Sequence, residues 1–191
     1  GKSAGNIDIV LVSYNNAGKI MDFGALEVQA VYISGYGRYP FEYYMENPAC
    51  RSSMDWSGRP NYPNPDYLSS SRKRLAPQLI FKGGIFKAWN KKAAVALNKG
   101  FFETLPSLDE VEPAHADIAW LIYDLVMDMK SNTYKLQRLK KVYTKFHESL
   151  EKITRSEPGS VDDFVEQLQI KVNQKFENSE PPDTETVNAL F

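Results

Sequence analysis

The chain has 191 residues, of which 42% are hydrophobic and 13% aromatic, and its formal net charge is −1 at pH 7. That length is one domain's worth of chain with material for a sizeable core, and near neutrality excludes a global basic field directed at nucleic acid. The single cysteine, Cys50, excludes an internal disulfide framework and fits a reducing cytoplasm, while no apolar run reaches the roughly 18–20 residues of a membrane helix.

The first predicted strand is Gly5-Asn6-Ile7-Asp8-Ile9-Val10-Leu11-Val12, in which Ile7, Ile9 and Leu11 share one face and Asp8 takes the other. Asn15-Asn16-Ala17-Gly18 breaks it with residues that tolerate positive φ. A second strand follows over 23–33, placing Glu27 and Gln29 on one side and Leu26, Val28 and Ala30 on the other. A hairpin burying the apolar sides would gather Asp8, Glu27 and Gln29 on the opposite face. Two carboxylates and an amide at one sheet edge suit a hard cation: Mg²⁺ takes oxygen ligands and needs only one or two carboxylates besides water and a substrate phosphate. Asp8 and Glu27 would supply the carboxylates and the main-chain carbonyl of Val28 a third oxygen. Gln29 would orient the attacking water or contact the phosphate, without the positive charge a lysine would add. The same pattern also occurs in sheets where the acids are merely exposed.

Residues 35–76 are rich in Gly, Pro, Tyr, Asn, Ser and Arg, with no clear period up to about residue 71. A stretch of this length without periodicity is usually functional or disordered, and its many aromatics argue against disorder. The expectation is a set of groove-reading loops in which Arg38, Arg51 and Arg59 are candidates for guanine edges. Between Tyr67 and Phe102 there is no acid, while Arg72, Lys73, Arg74, Lys82, Lys87, Lys91, Lys92 and Lys99 are basic. Such a segment fits a phosphate-facing surface and equally a solvated helix face.

Ser69-Ser70-Ser71 could cap a helix, and Leu79, Phe86, Trp89 and Ala93 recur at helical spacing, predicting a basic amphipathic helix over about 77–92. Gly83-Gly84 inside it marks a close approach or a kink, packing being the commoner cause. Residues 93–97 form a short buried strand or the helix end, and 118–125 a further strand. A helix is predicted over 134–154 from the stripe of Leu136, Leu139, Val142, Tyr143, Phe146 and Leu150. Another is predicted from Ser160 to about Phe176, opened by Ser160 with Asp163 three residues on. Residues 134–176 would thus be helical, serving as core, dimer contact or a helical interaction surface. Residues 177–191 would form an acidic tail after one domain over 1–176.

Asp8 followed by Glu27-x-Gln29 resembles the PD-(D/E)xK nuclease superfamily in its variant with glutamine for lysine. GKSAGNIDIVLVSYN, DFGALEVQAVYISG, PFEYYMENP and DYLSSSRKRLAPQLIFKGGIFKAWNKKAAVALNKGFFETLP resemble, in order, the catalytic part of the NotI-type restriction endonucleases over roughly the first two thirds of the chain. The resemblance implies an α/β, restriction-endonuclease-like mixed β-sheet core flanked by helices, with a helical C-terminal third. It implies a type II enzyme that hydrolyses double-stranded DNA with Mg²⁺, as a homodimer on a G·C-rich palindrome. Asp8, Glu27 and Gln29 match the catalytic positions, with Asp8, Glu27 and Val28 holding the metal. Arg38, Arg51, Arg59, Arg72, Lys73 and Arg74 are the candidates for DNA contact. A nuclease-fold module that binds DNA or protein without cutting is the rival reading.

Two departures stand out. Ile7 occupies the place of the superfamily's proline, and the four-cysteine module carried upstream by the rare cutter has no counterpart around Cys50. Because the chain opens directly into the catalytic strand, an N-terminal helix and strand, with a further acidic ligand, are expected to be missing, or the family member is short. Asp128-Met129-Lys130 and Pro65-Asp66 spell fragments of the motif, but neither has a partner strand in the right place. His115 and His147 lack metal-ligand spacing.

Overall fold

The computed structural model describes residues 6–51, 53, 55, 62–155 and 158–176. The chain separates into two compact units, Gly1–Thr154 and Arg155–Phe191. The first is built on a five-stranded mixed sheet. Its strands are β1 (Ile9–Tyr14), β2 (Ile20–Val28), β5 (Ala93–Asn98), β6 (Ile118–Asp128) and β7 (Thr133–Thr144), lying side by side in that order. β1–β2 and β6–β7 are antiparallel, whereas β2–β5 and β5–β6 are parallel. β3 (Tyr32–Ser34) and β4 (Asn64–Asp66) form a separate two-stranded ribbon. The expected mixed sheet flanked by helices is therefore present.

The long helix is α3, residues 67–88, and it starts ten residues earlier than its apolar spacing suggests. Its cap is Asp66, whose carboxylate accepts from the Ser69 N–H at 2.9 Å, so the serine triplet lies inside the helix. Ser70, fully buried, ties the first turn to β3: its Oγ donates to the Asp66 carbonyl at 2.6 Å and accepts from the Tyr32 N–H at 2.8 Å. Two stretches of α3, Ser71–Leu75 and Leu79–Gly83, widen into π turns. The glycine pair is a packing device, since a Cβ on Gly83 would come within 2.6 Å of the Phe146 ring.

Upstream of α3, residues 35–66 are not all loop. α1 (Arg38–Glu46) and α2 (Pro48–Arg51) are helical, with Pro40 in the first turn of α1, where a missing N–H costs nothing.

The other correction is β7. Residues 134–144 pair with β6 along its length, and Asn132 at φ 50° helps the chain turn between them. The apparent helical stripe straddles two elements, a strand and then α5 (Phe146–Thr154). Strand pairing and the burial of Val142 and Thr144 outweigh the local periodicity. The C-terminal part of the first unit is thus strand plus helix, which removes the continuous helical surface expected over 134–176. Between β5 and β6 lies the short α4 (Lys99–Glu103).

One face of the sheet carries the core. Val95, Leu97, Ile118, Trp120, Ile122 and Val142 pack under Leu75, Leu79, Phe101 and Phe146, and a second cluster joins Ala25 and Ala93 to Phe86. The buried Trp120 indole donates to Thr144 Oγ1 at 2.9 Å, and Ser149 Oγ donates to the same oxygen at 2.7 Å, so this polar patch is internally satisfied.

The second unit holds α6 (Val161–Phe176), opened as expected by Ser160, whose Oγ accepts from the Asp163 N–H at 3.3 Å. The expected tail, 177–191, lies outside the described residues.

Asp117, just before β6, joins three elements. It accepts from Lys87 Nζ at 2.9 Å and from the Phe146 N–H at the start of α5 at 3.1 Å. Burial pushes its carboxyl up, but the Lys87 ammonium, the Phe146 N–H and the Lys145 charge outweigh that and hold it below the usual range. A carboxyl depressed in this way contributes stability above its unfolded pKa, and the contribution is lost as the pH falls through the folded value. Replacing Asp117→Asn should cost about 2 kcal/mol near pH 7, as for a charge-assisted hydrogen bond. The gap from the parent protein in urea unfolding should close as the pH falls below about 3.9. Gly83→Ala should cost about 1–3 kcal/mol in the same assay, because the steric demand on the buried Phe146 ring exceeds the gain in helix propensity.

Candidate active site

β1 and β2 form the hairpin expected from the sequence, with Ile9 opposite Leu26 and Val10 opposite Ala25. Continuing that register one step sets Asp8 against Glu27, where directly opposed side chains share a face. Asp8 is exposed, and its Oδ2 accepts from the Val28 N–H at 2.8 Å. The main chain of the motif therefore fixes the Asp8 carboxylate to β2.

The covered face is the reverse of the expected one. Glu27 and Gln29 are only 6% and 5% exposed, whereas Val28 is 53% and Leu11 54% exposed. α3 lands on the side of Ala25, Glu27 and Gln29 and leaves the Leu26 and Val28 side open. A carboxylate can be covered in this way only with a partner, and α3 brings one. Lys82 Nζ lies 2.7 Å from Glu27 Oε2, the two side chains being 13% and 8% exposed.

The site predicted from the sequence does not include Lys82, although the sequence carries a signal for its burial. Leu75, Leu79, Lys82 and Phe86 follow one another at helical spacing, so Lys82 occupies a place in an apolar stripe. A lysine there needs a buried anion across the interface.

The remaining polar atoms define what the site lacks. Among the described residues Glu27 Oε1 is buried without a hydrogen-bond partner, and so is Gln29 Oε1. The rest of Gln29 is held: its N–H donates to the Ala96 carbonyl at 2.8 Å and its Nε2 to the Ala30 carbonyl at 3.0 Å. Two orphaned oxygens on adjacent same-face positions are a cost that a cation or water would relieve. Oxygen-only donors of this kind fit Mg²⁺. Among the described residues no group of three or more His, Cys, Asp or Glu could hold a metal. Among the described residues, ligands beyond the two acids would be amide or carbonyl oxygens, with water or phosphate completing the set.

The expected DNA-contact residues divide sharply. Arg38 lies on α1, paired with Glu42 at 2.6 Å. Arg51 ends α2, pairs with Glu46 at 2.8 Å, donates to the Tyr43 carbonyl and stacks over the Tyr43 ring; neither belongs to an irregular groove-reading loop. Arg59 lies outside the described residues.

Within the acid-free segment most cations are engaged: Lys82 with Glu27, Lys87 with Asp117, Lys91 with Asp22, and Lys99 more loosely with Glu103. Lys92 donates to the Pro113 carbonyl. Arg72, Lys73 and Arg74 are exposed in the first π turn of α3 and form no ion pair among the described residues. Arg74 faces the Tyr32 ring at 5.1 Å. The motif fragments have other uses, Asp66 as the cap of α3 and Asp128 as the partner of Lys135.

A search of curated proteins finds no significant match to the chain. The family model for restriction endonuclease NotI matches residues 1–136, a span that contains Asp8, Glu27, Gln29 and Lys82 and most of the sheet. With more than two thirds of its length matched, the chain belongs to the NotI restriction endonuclease family, a family of DNA-cleaving hydrolases.

Proposed function

We propose that this chain is a type II restriction endonuclease that hydrolyses phosphodiester bonds at a specific site in double-stranded DNA with Mg²⁺. The observation that carries this reading is the pair of oxygens unpartnered among the described residues, Glu27 Oε1 on the strand beside Asp8 and Gln29 Oε1 just past its end. Asp8, Glu27 and the main-chain carbonyl of Val28 would hold the metal. A bound Mg²⁺ supplies Lewis-acid polarisation of the phosphate and a lowered pKa for an attacking water. The chain's own groups do the positioning. The Val28 N–H holds Asp8 against β2. Gln29, anchored through Nε2, leaves Oε1 as the acceptor that can orient a water proton. Arg72, Lys73 and Arg74 supply charge for phosphates. Arg38, Arg51 and Arg59 remain the candidates for base edges, where a guanidinium can take O6 and N7 of guanine together.

Twofold pairing of two chains on a G·C-rich palindrome, each cutting one strand, completes the proposal. It rests on the family rather than on an interaction within the chain. One observation favours the rival, a module that binds DNA without cutting: the Glu27 carboxylate is already engaged with Lys82 in a covered position.

Cleavage of plasmid DNA separates the two. Asp8→Ala and Glu27→Ala should each lower Mg²⁺-dependent cutting by about 10²-fold or more, while binding measured in Ca²⁺ persists. Salt-dependent binding with no nicking by the unaltered protein would favour the silent module. Replacing Arg72, Lys73 and Arg74 together by Ala should reduce the slope of log K against log salt by up to about 2.7, or roughly 0.9 for each phosphate no longer neutralised. Filter binding across a salt series measures it.

A further inference from the structure

Resting on that nuclease reading, we propose that Lys82 is the cationic positioning residue of the site: α3 supplies the ammonium that the Glu27-x-Gln29 strand omits. The geometry divides the Glu27 carboxylate into two jobs. Oε2 is held by Lys82 Nζ at 2.7 Å, and Oε1 is left buried with no partner among the described residues. An ammonium carries three donors, and Glu27 is the one partner Lys82 has among the described residues.

Charge points the same way. Asp8 and Glu27 alone would present two negative charges to an incoming phosphate, and Lys82 cancels one of them. Gln29 lies two positions after Glu27, one residue past the end of β2, and brings none. The helix is fixed where it must be for this purpose: Leu79 on one side of Lys82 and Phe86 on the other are buried against the sheet. Ser70 pins its first turn to Tyr32, three residues beyond Gln29. Lys82 is thus delivered by packed helix and not by a loop. The other lysines of that helix serve elsewhere, Lys73 on an exposed face and Lys87 with Asp117.

Moving the charge back to the strand provides the test. Lys82→Met should lower kcat for Mg²⁺-dependent cleavage by about 10²-fold with KM changed less than about threefold, the pattern of a lost transition-state interaction. Combining it with Gln29→Lys, which returns one ammonium beside Glu27, should recover at least about tenfold in kcat. A second readout needs neither metal nor catalysis. DNA affinity by fluorescence anisotropy in EDTA should weaken about fivefold in Lys82→Met, from the uncovered Glu27 charge, and return in the Glu27→Gln/Lys82→Met pair.

An unaltered protein that cuts while Lys82→Met cuts equally well overturns this inference and leaves the nuclease reading intact. An unaltered protein that never cuts overturns both. A slow Lys82→Met with no recovery by Gln29→Lys and unchanged metal-free affinity reduces Lys82 to packing and also overturns it. If Lys82→Met does not fold by circular dichroism, the Gln29→Lys/Lys82→Met pair decides: cutting within about tenfold of the parent supports the inference, and a folded, inert protein refutes it.

Discussion

A covered ion pair sets the relation between α3 and β2. Glu27 comes from the strand that carries the motif, and Lys82 from a helix 55 residues further on. A pair of this kind adds little net stability over apolar groups of the same volume, yet removing one member costs about 3–5 kcal/mol. Its effect is therefore selective. Of the ways a basic amphipathic helix could lie over this sheet, the ones that strand Glu27 without a cation are heavily penalised. Once α3 is set down so that Lys82 meets Glu27, Leu75, Leu79 and Phe86 fall onto the sheet, and Gly83 admits the Phe146 ring.

That placement explains why an acidic strand face can be the covered one. Ordinary binary patterning buries the aliphatic side of a hairpin, and here the aliphatic side of β1–β2 stays open. A metal site of the kind proposed needs a partly dry, shaped surround in which a carboxylate is held still, and the cover over Glu27 and Gln29 would supply one. The cation across the interface makes that surround tolerable. Asp8, tethered by a main-chain N–H, stays exposed at the sheet edge, so the carboxylates stand at two depths. Asp117 uses the same physics at the far end of α3. There a carboxylate collects an ammonium and a helix-start N–H and joins α3, β6 and α5.

Much of this is legible in the sequence. The hairpin shows in the two-residue period and the Asn/Gly break, and the strand beginning at 118 in its apolar run, while the run at 93–97 leaves strand and helix end open and the structure makes it a strand. The motif positions come with the resemblance. What local pattern cannot give is partnership. The stripe from Leu136 to Leu150 fits a helix in isolation, and it is overridden because β6 offers a full-length neighbour for β7. Three serines suggest the cap of α3, but the nearby Asp66 holds the stronger acceptor. Prolines and polar residues over 35–66 conceal two short helices. The open and covered faces of β2 are the reverse of the expected ones because alternation says only that two faces differ, and the helix opposite decides which is which. Lys82 sits in plain view in an apolar stripe, but its meaning requires knowing that the stripe faces Glu27.

The wide turns of α3 have one more implication. A single residue is about 100° of helical rotation, and Lys82 sits inside the second of the two π turns, Leu79–Gly83. Deleting one residue between Leu75 and Lys82 would keep the composition of the helix almost intact while swinging the ammonium away from the strand. The electrostatics of the strand therefore depend on a count of residues as much as on their identity, and an insertion or deletion in this stretch would be felt far more than most substitutions on its outer surface.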